Sequence, residues 1–250
     1  MSFARRDFQV RYAQTFLGAL WAFIQPLITV AVLYMVFNTA LKADTAKIPF
    51  LSYALSGLVF WGFFNYTLSQ GASALIQART MLQKIYFPRI LLVLSKSLVA
   101  AVDLLFVLLI FLVLAFADLG SGLEMLSSFI AALVLAFLAA QGLALWFSAL
   151  SIRFRDLQQI IPFFSQLLFF LSPIAYSPAL WSENIAQQYH YLLYLNPMFT
   201  VLELWRLGVF GLEPLLHSTG LIIGSLNCLF LFLSGWLYFQ RSEAKMADLL

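Results

Sequence analysis

Charge is what this sequence lacks most. Asp, Glu, Lys and Arg together make up 10% of its 250 residues, against 63% hydrophobic residues. Soluble domains run near about 25% charged and about 45–50% apolar. No carboxylate occurs between Asp44 and Asp103, and no charge of either sign between Arg11 and Lys42 or between Lys47 and Arg79. A water-soluble fold cannot hide that much apolar surface, so the solvent for most of the chain is lipid. The length leaves room for one membrane domain and none for a soluble catalytic one. Cysteine is nearly absent: the single Cys228 lies in an apolar run, excludes an internal disulfide and reads as core packing. The two histidines, His190 and His217, are isolated, and nothing matches G-x-x-x-x-G-K-[ST], G-x-S-x-G or H-E-x-x-H. The chain therefore carries no P-loop for ATP and no recognisable hydrolase or metal site. Its opening stretch, MSFARRDFQVRYAQ, lacks the apolar core of a cleaved export signal.

What is present is a series of apolar runs. About 20 residues in a helix cross a hydrocarbon core about 30 Å thick. The runs predict an all-α integral membrane protein with six spans, over 17–41, 50–77, 98–117, 125–150, 157–176 and 215–239. Pro26 is expected to kink the first span. Gly57 and Gly62 leave room for close helix approach in the second, and the fourth is rich in alanine, which suits tight packing in lipid. Ahead of the first span, residues 1–16 place Phe8, Tyr12 and Phe16 on one helical face, with Arg5, Arg6, Asp7 and Arg11 supplying polar contacts. Asp7 and Arg11 are spaced for an i,i+4 pair. This predicts an amphipathic helix lying in the headgroup layer; the alternative is a plain basic flank.

Six spans put both termini on one side. Eleven Lys and Arg residues then lie on the side of the termini and three, Lys42, Lys47 and Arg206, on the other. Positive residues mark the cytoplasmic side, so both termini and the loops 78–96 and 151–156 are expected in the cytoplasm. The loop 78–96 carries Arg79, Lys84, Arg89 and Lys96 around the turn Tyr86-Phe87-Pro88-Arg89. A proline-stiffened aromatic turn can be gripped by a force generator outside the membrane, with Lys84 and Arg89 steering it to an acidic groove. The bland alternative is that these cations only set topology and touch anionic lipid. Asp156, after Arg153 and Arg155, is placed to cap the next helix.

Two places depart from plain spans. Asp103 is a carboxylate inside the third span, expected near its cytoplasmic end and paired with a basic or polar neighbour; an acid within a membrane is also a functional candidate. Residues 178–212 mix aromatics with polar groups and read as two short re-entrant outer helices broken at Asn196-Pro197, with Glu203 and Arg206 neutralising each other at i,i+3.

Six stretches stand in order along the chain: Arg6-Asp7-Phe8 to Arg11-Tyr12, Leu17-Gly18-Ala19-Leu20-Trp21 with Gln25-Pro26, Lys84-Ile85-Tyr86-Phe87-Pro88-Arg89, Arg153-Phe154-Arg155-Asp156, Ser172-Pro173, and Asn196-Pro197-Met198 with Glu203 and Arg206. Together they resemble the membrane subunit of ABC-type polysaccharide exporters, most of all the O-antigen exporter permeases. The resemblance implies a permease of the bacterial cytoplasmic membrane that is not itself an enzyme. It implies a homodimer driven by two ATPase subunits, which hold the ATP and magnesium, while this chain binds no cofactor. Residues 5–16 would lie beside the ATPase, Arg79–Arg89 would be the main coupling helix, Arg153–Asp156 a second contact, and Asn196-Pro197 the break between outer gate helices. The cargo would be a lipid-linked polysaccharide; teichoic acid, a capsular polymer or a small amphiphile is the nearer alternative. An enzyme acting on lipid-linked glycans, or an ion-coupled carrier using Asp103, is the alternative from another class. A nucleic acid partner is not expected. Trp21, Tyr34, Phe163, Phe170 and Tyr176 are the aromatic candidates for a sugar path, each against the plainer reading of packing or interfacial belt.

Overall fold

The computed structural model describes residues 20–83, 87–120, 122–154, 156–184 and 186–249. The proposed interfacial helix, with Arg5, Arg6, Asp7, Arg11 and Tyr12, lies outside the described residues, as do Lys84, Tyr86 and Arg155. Among the described residues the secondary structure is helical throughout. Its main elements are α1 (Trp21–Leu33), α2 (Phe50–Gln77), α3 (Ile90–Leu114), α4 (Gly122–Arg153), α5 (Leu157–Leu171), α6 (Ala179–Asn184), α7 (Pro197–Phe210) and α8 (His217–Leu249).

Among the described residues four helices are long and apolar enough to cross a membrane: Trp21–Ala40, Ile90–Leu114, Gly122–Arg153 and Ser218–Glu243. The first joins α1 to a wider π-helical stretch, Tyr34–Ala40. α2 is the inner helix. Its 28 residues extend about 42 Å at 1.5 Å each and carry no charge, but Ser52, Ser56, Asn65, Thr67, Ser69 and Gln70 lower its hydropathy. Most of its side chains are buried, because α2 packs along both α3 and α4. α5, at 15 residues, reaches only about 22 Å.

The helix ends depart from the expected spans. α3 begins at Ile90 rather than near 98, because Lys96 does not break the helix: it sits half-buried, and a lysine stem can lie along apolar surface while its amine reaches outward. The loop expected over 78–96 therefore shrinks to 78–89, with a single helical turn at Arg79–Leu82. α4 runs past both expected ends to Gly122 and Arg153, and α8 carries Arg241 and Glu243 on its helix. The fifth helix stops at Leu171, not 176, since Pro173 pushes Ser172 into an extended conformation, ψ 140°. Residues 178–212 form three helical pieces rather than two: α6, a 3-10 stretch Gln187–Leu195, and α7.

α4 holds the bundle together, packing against α8, α2 and α7. Its face of Ala132, Ala136, Ala139, Ala140 and Ala144 is fully buried. Small side chains let helix backbones come close. At the α4–α8 crossing a Cβ on Gly142 would lie 2.5 Å from the Leu231 carbonyl, and one on Gly235 would strike the Gly142 carbonyl. The aromatic rings of Trp146 and Tyr238 stack beside it, 4.2 Å apart and 9° from parallel. A second core gathers Trp205 of α7 with Phe60, Phe111 and Phe129. The outer faces are apolar: Leu98, Leu105 and Leu109 on α3, and Leu226, Phe230 and Leu233 on α8, are all half-exposed. Cys228 is buried.

Candidate functional site

The basic end of the bundle is where α2, α3, α4 and α8 meet. Leu75, Leu92, Val93, Leu145 and Phe239 form a buried cluster there, and Phe87 packs against it. The Phe87 ring is partly buried against the chain's own core, since α3 starts only three residues later. Pro88 is exposed, and so is Arg79 on its single turn. Arg89 is tied to α8: its backbone N–H donates to Glu243 Oε1 at 3.4 Å and its Nη1 to the Glu243 carbonyl at 3.0 Å. Glu243 went unnoticed in the sequence, where it is one of several charges in a polar tail. Arg153 and Asp156 are exposed, and the Arg153 guanidinium lies 5.2 Å from the Phe154 ring centre. Asp156 makes no capping hydrogen bond, since its own backbone is already helical.

At the opposite end, Asn196 ends the 3-10 stretch and starts α7. Its side chain accepts from the Met198 N–H at 3.1 Å and donates to Ser172 Oγ at 3.0 Å, with Pro197 in the first turn. A side-chain acceptor followed by proline is a strong helix start. Gly211, φ 66°, ends α7 in the left-handed conformation that glycine adopts without strain.

Arg206 and Glu203 attract each other across their i,i+3 spacing without a direct hydrogen bond between them. Arg206, 2% exposed, uses all five of its N–H donors on other groups. Nε donates to Ser56 Oγ, Nη1 to Tyr53 Oη and the Pro173 carbonyl, and Nη2 to the Tyr53 and Ile174 carbonyls. Glu203 accepts from Tyr194 Oη at 2.6 Å and from the Leu215 N–H at 2.9 Å. The guanidinium thus joins α7 to α2 and to the non-helical segment after α5, while the carboxylate joins α7 to the 3-10 stretch and the approach to α8. The segment after α5 is also held from outside, by the Ser177 N–H donating to the Asp44 carbonyl at 2.8 Å.

Between these ends lies a cavity of about 310 Å³ bounded by α1, α2, α3 and the end of α5. Gln25 of α1, Asn65, Ser69 and Gln70 of α2, and Asp103 of α3 line it, with Trp61, Phe63 and Phe169 as aromatic wall. Asp103 is midway along α3, thirteen residues from its start, not near the end as expected from a span beginning at 98. Gly62 faces this cavity: a Cβ there meets nothing within 4 Å. Pro26 borders the cavity and, having no N–H, withholds a donor from the Ala22 carbonyl of the same wall. Asn65 Oδ1 accepts from Ser165 Oγ of α5 at 2.6 Å and from Ser69 Oγ at 3.3 Å. This group drew no notice in the sequence; its signal was polar residues recurring on one uncharged helix.

Of the aromatic path candidates, Trp21, Tyr34, Phe163 and Phe170 are exposed. Tyr176 is buried, its hydroxyl donating to the Phe170 carbonyl at 2.7 Å and its ring stacked on Phe37.

Residues 1–210 match the family described as ABC-2 type transporter. The chain is 28% identical over 208 residues to an O-antigen export system permease protein, RfbA, of Myxococcus xanthus, covering 82% of this chain and 78% of that one. An RfbA of Klebsiella pneumoniae is 23% identical over 98% of this chain and 92% of its own length. A polysialic acid transport protein, KpsM, of Escherichia coli is 23% identical over 97% and 93%.

Proposed function

Because the chain belongs to the ABC-2 type transporter family, we propose that it is the membrane subunit of an exporter that carries a lipid-linked polysaccharide of O-antigen type outward across a bacterial cytoplasmic membrane. The observation that carries this reading is the likeness to O-antigen export permeases along most of the chain. It is supported by the absence from the sequence of any P-loop to supply energy. ATP and magnesium belong to a separate ATPase subunit, present in two copies beneath a homodimer of this chain. The four long apolar helices, α2, and α5 extended by residues 172–176 make six crossings with both termini in the cytoplasm. α6, the 3-10 stretch and α7 dip into the outer leaflet as a gate around Asn196, Pro197, Glu203 and Arg206.

Arg79 and the loop to Arg89 receive the thrust of the ATPase, with Arg153–Asp156 as a second contact. The internal tie of Arg89 to Glu243 supports a division of labour within the loop: its exposed turn meets the partner, and its end passes motion to α8. A capsular polymer is the second reading, favoured by the full-length likeness to a polysialic acid transport protein.

The test is reconstitution. The chain copurifies with an ATPase encoded beside it, and together they move a lipid-linked polysaccharide into vesicles when ATP is added. Equal transport by the chain alone, without ATP, overturns the reading.

A further inference from the structure

Seven polar side chains, those of Gln25, Thr29, Asn65, Tyr66, Ser69, Gln70 and Asp103, line the cavity between α1, α2 and α3, within helices whose outer faces are apolar. Polar side chains are costly to place in hydrocarbon, and a carboxylate at mid-membrane marks a functional place by default. Such a set is retained where something polar passes. We propose that this cavity is a binding station for an uncharged sugar unit of the polymer in transit. The assignment rests on the export reading above and adds the chemical class of the cargo.

The lining chemistry selects that class. Gln25, Gln70 and Asp103 carry planar amide or carboxylate ends, which meet pairs of neighbouring hydroxyls with two hydrogen bonds at once, while Asn65, whose Oδ1 already accepts from Ser165 and Ser69, offers its Nδ2 donor. Trp61 and Phe169, set edge to face 5.2 Å apart, offer rings to the C–H faces of a pyranose. The volume falls at the lower bound of small-molecule sites, roughly 300–1,000 Å³, and holds a short piece of a chain rather than a folded coil. Among the described residues lining it there is no Lys or Arg to match the carboxylates of a polyanion. A metal ion is a poor occupant, because the described residues contain no group of three His, Cys, Asp or Glu side chains. The station therefore takes neutral hexose or amino-sugar units and disfavours uronic or sialic acid polymers.

Photo-crosslinking in cells that carry the chain with its ATPase tests this. p-Benzoylphenylalanine replaces Gly62, where the space is open, and separately Ser69, with Leu226 on the exposed face of α8 as the control. Membrane level and ATPase copurification are measured for each. The expected result is polysaccharide captured at 62 and 69 and not at 226, with uncharged composition. Asp103→Lys, which removes the planar acceptor altogether, lowers the capture about tenfold, and Asp103→Asn, which keeps one acceptor oxygen, lowers it less. No capture at either position, in strains whose surface polymer still depends on the chain, overturns the station and leaves the export reading standing. A captured polymer rich in acidic sugars overturns the neutral class. Surface polysaccharide that is unchanged when the chain is deleted overturns both.

Discussion

The guanidinium carbon of Arg206 lies 3.6 Å from the centre of the Tyr53 ring, while Nη1 of the same group donates to the Tyr53 hydroxyl at 2.8 Å. One arginine on α7 thereby grips α2 by face, by hydroxyl and by backbone carbonyl. Removing one partner from a buried charged network leaves the others without a match and costs about 3–5 kcal/mol. Arg206→Leu is expected to lower the thermal unfolding midpoint of the purified protein sharply or to prevent its accumulation. Tyr53→Phe keeps the ring and removes one hydrogen bond, for a loss of about 1 kcal/mol. Melting of the two variants in the same detergent checks the order; equal melting would show that the hydrogen bonds carry no weight.

Arg89 and Lys84 are expected to separate, although both are cations of one loop. Arg89 is committed to Glu243 within the chain. Arg89→Ala should loosen the junction of α3 with α8 and reduce export, with ATPase copurification largely kept. Lys84→Glu should weaken ATPase association and leave the melting temperature unchanged. Pull-down and melting of both variants decide it, and identical behaviour would mean the loop acts as one undivided surface.

Gly142 and Gly62 offer a matched pair. Gly142→Val drives a side chain into the Leu231 backbone, and overpacking of this kind costs about 1–3 kcal/mol, so α4 and α8 should part and the protein melt earlier. Gly62→Ala meets nothing within 4 Å and should melt no earlier than the unchanged protein. The comparison reads the crossing directly.

Asn196→Ala removes both the cap on α7 and the bridge to Ser172. Loss of a helix cap costs about 0.5–2 kcal/mol. Asn196→Asp keeps an acceptor for the Met198 N–H and should recover most of that loss. Protease sensitivity of the 178–212 region, compared between the two variants, is the measurement; if Asp fails to recover protection, the bridge to Ser172 matters more than the cap.

Apolar runs are a long-range signal, and the presence of the long helices was legible from them. Their ends were not. Lys96, Arg153 and Arg241 look like loop residues by charge, yet they stay helical: Lys96 is half-buried, where its stem can lie along apolar surface, and Arg153 and Arg241 are exposed, where a charge does not oppose the helix. Proline and asparagine at 196–197 were informative for the opposite reason: their effect on the backbone is local and independent of what lies nearby. The partners of Arg206 were illegible, since Ser56 and Tyr53 are about 150 positions away and nothing in the local pattern joins them. The polar cavity was missed because its members are spread over three helices, one or a few to each. The family's membership was legible in six short stretches, but which of their residues face inward was not.

The close crossing at Gly142 and Gly235 turns α8 into a lever with unequal arms. From Gly235 the helix runs about 12 Å to Glu243, beside the basic loop, and about 27 Å the other way to His217. The longer arm carries Asn227, which donates to the Tyr194 and Leu195 carbonyls of the 3-10 stretch. Pivoting as a rigid rod about that fulcrum, α8 would more than double a displacement imposed at Arg89 by the time it reached the far side, so a short stroke at one face of the bundle suffices for a wider excursion at the other.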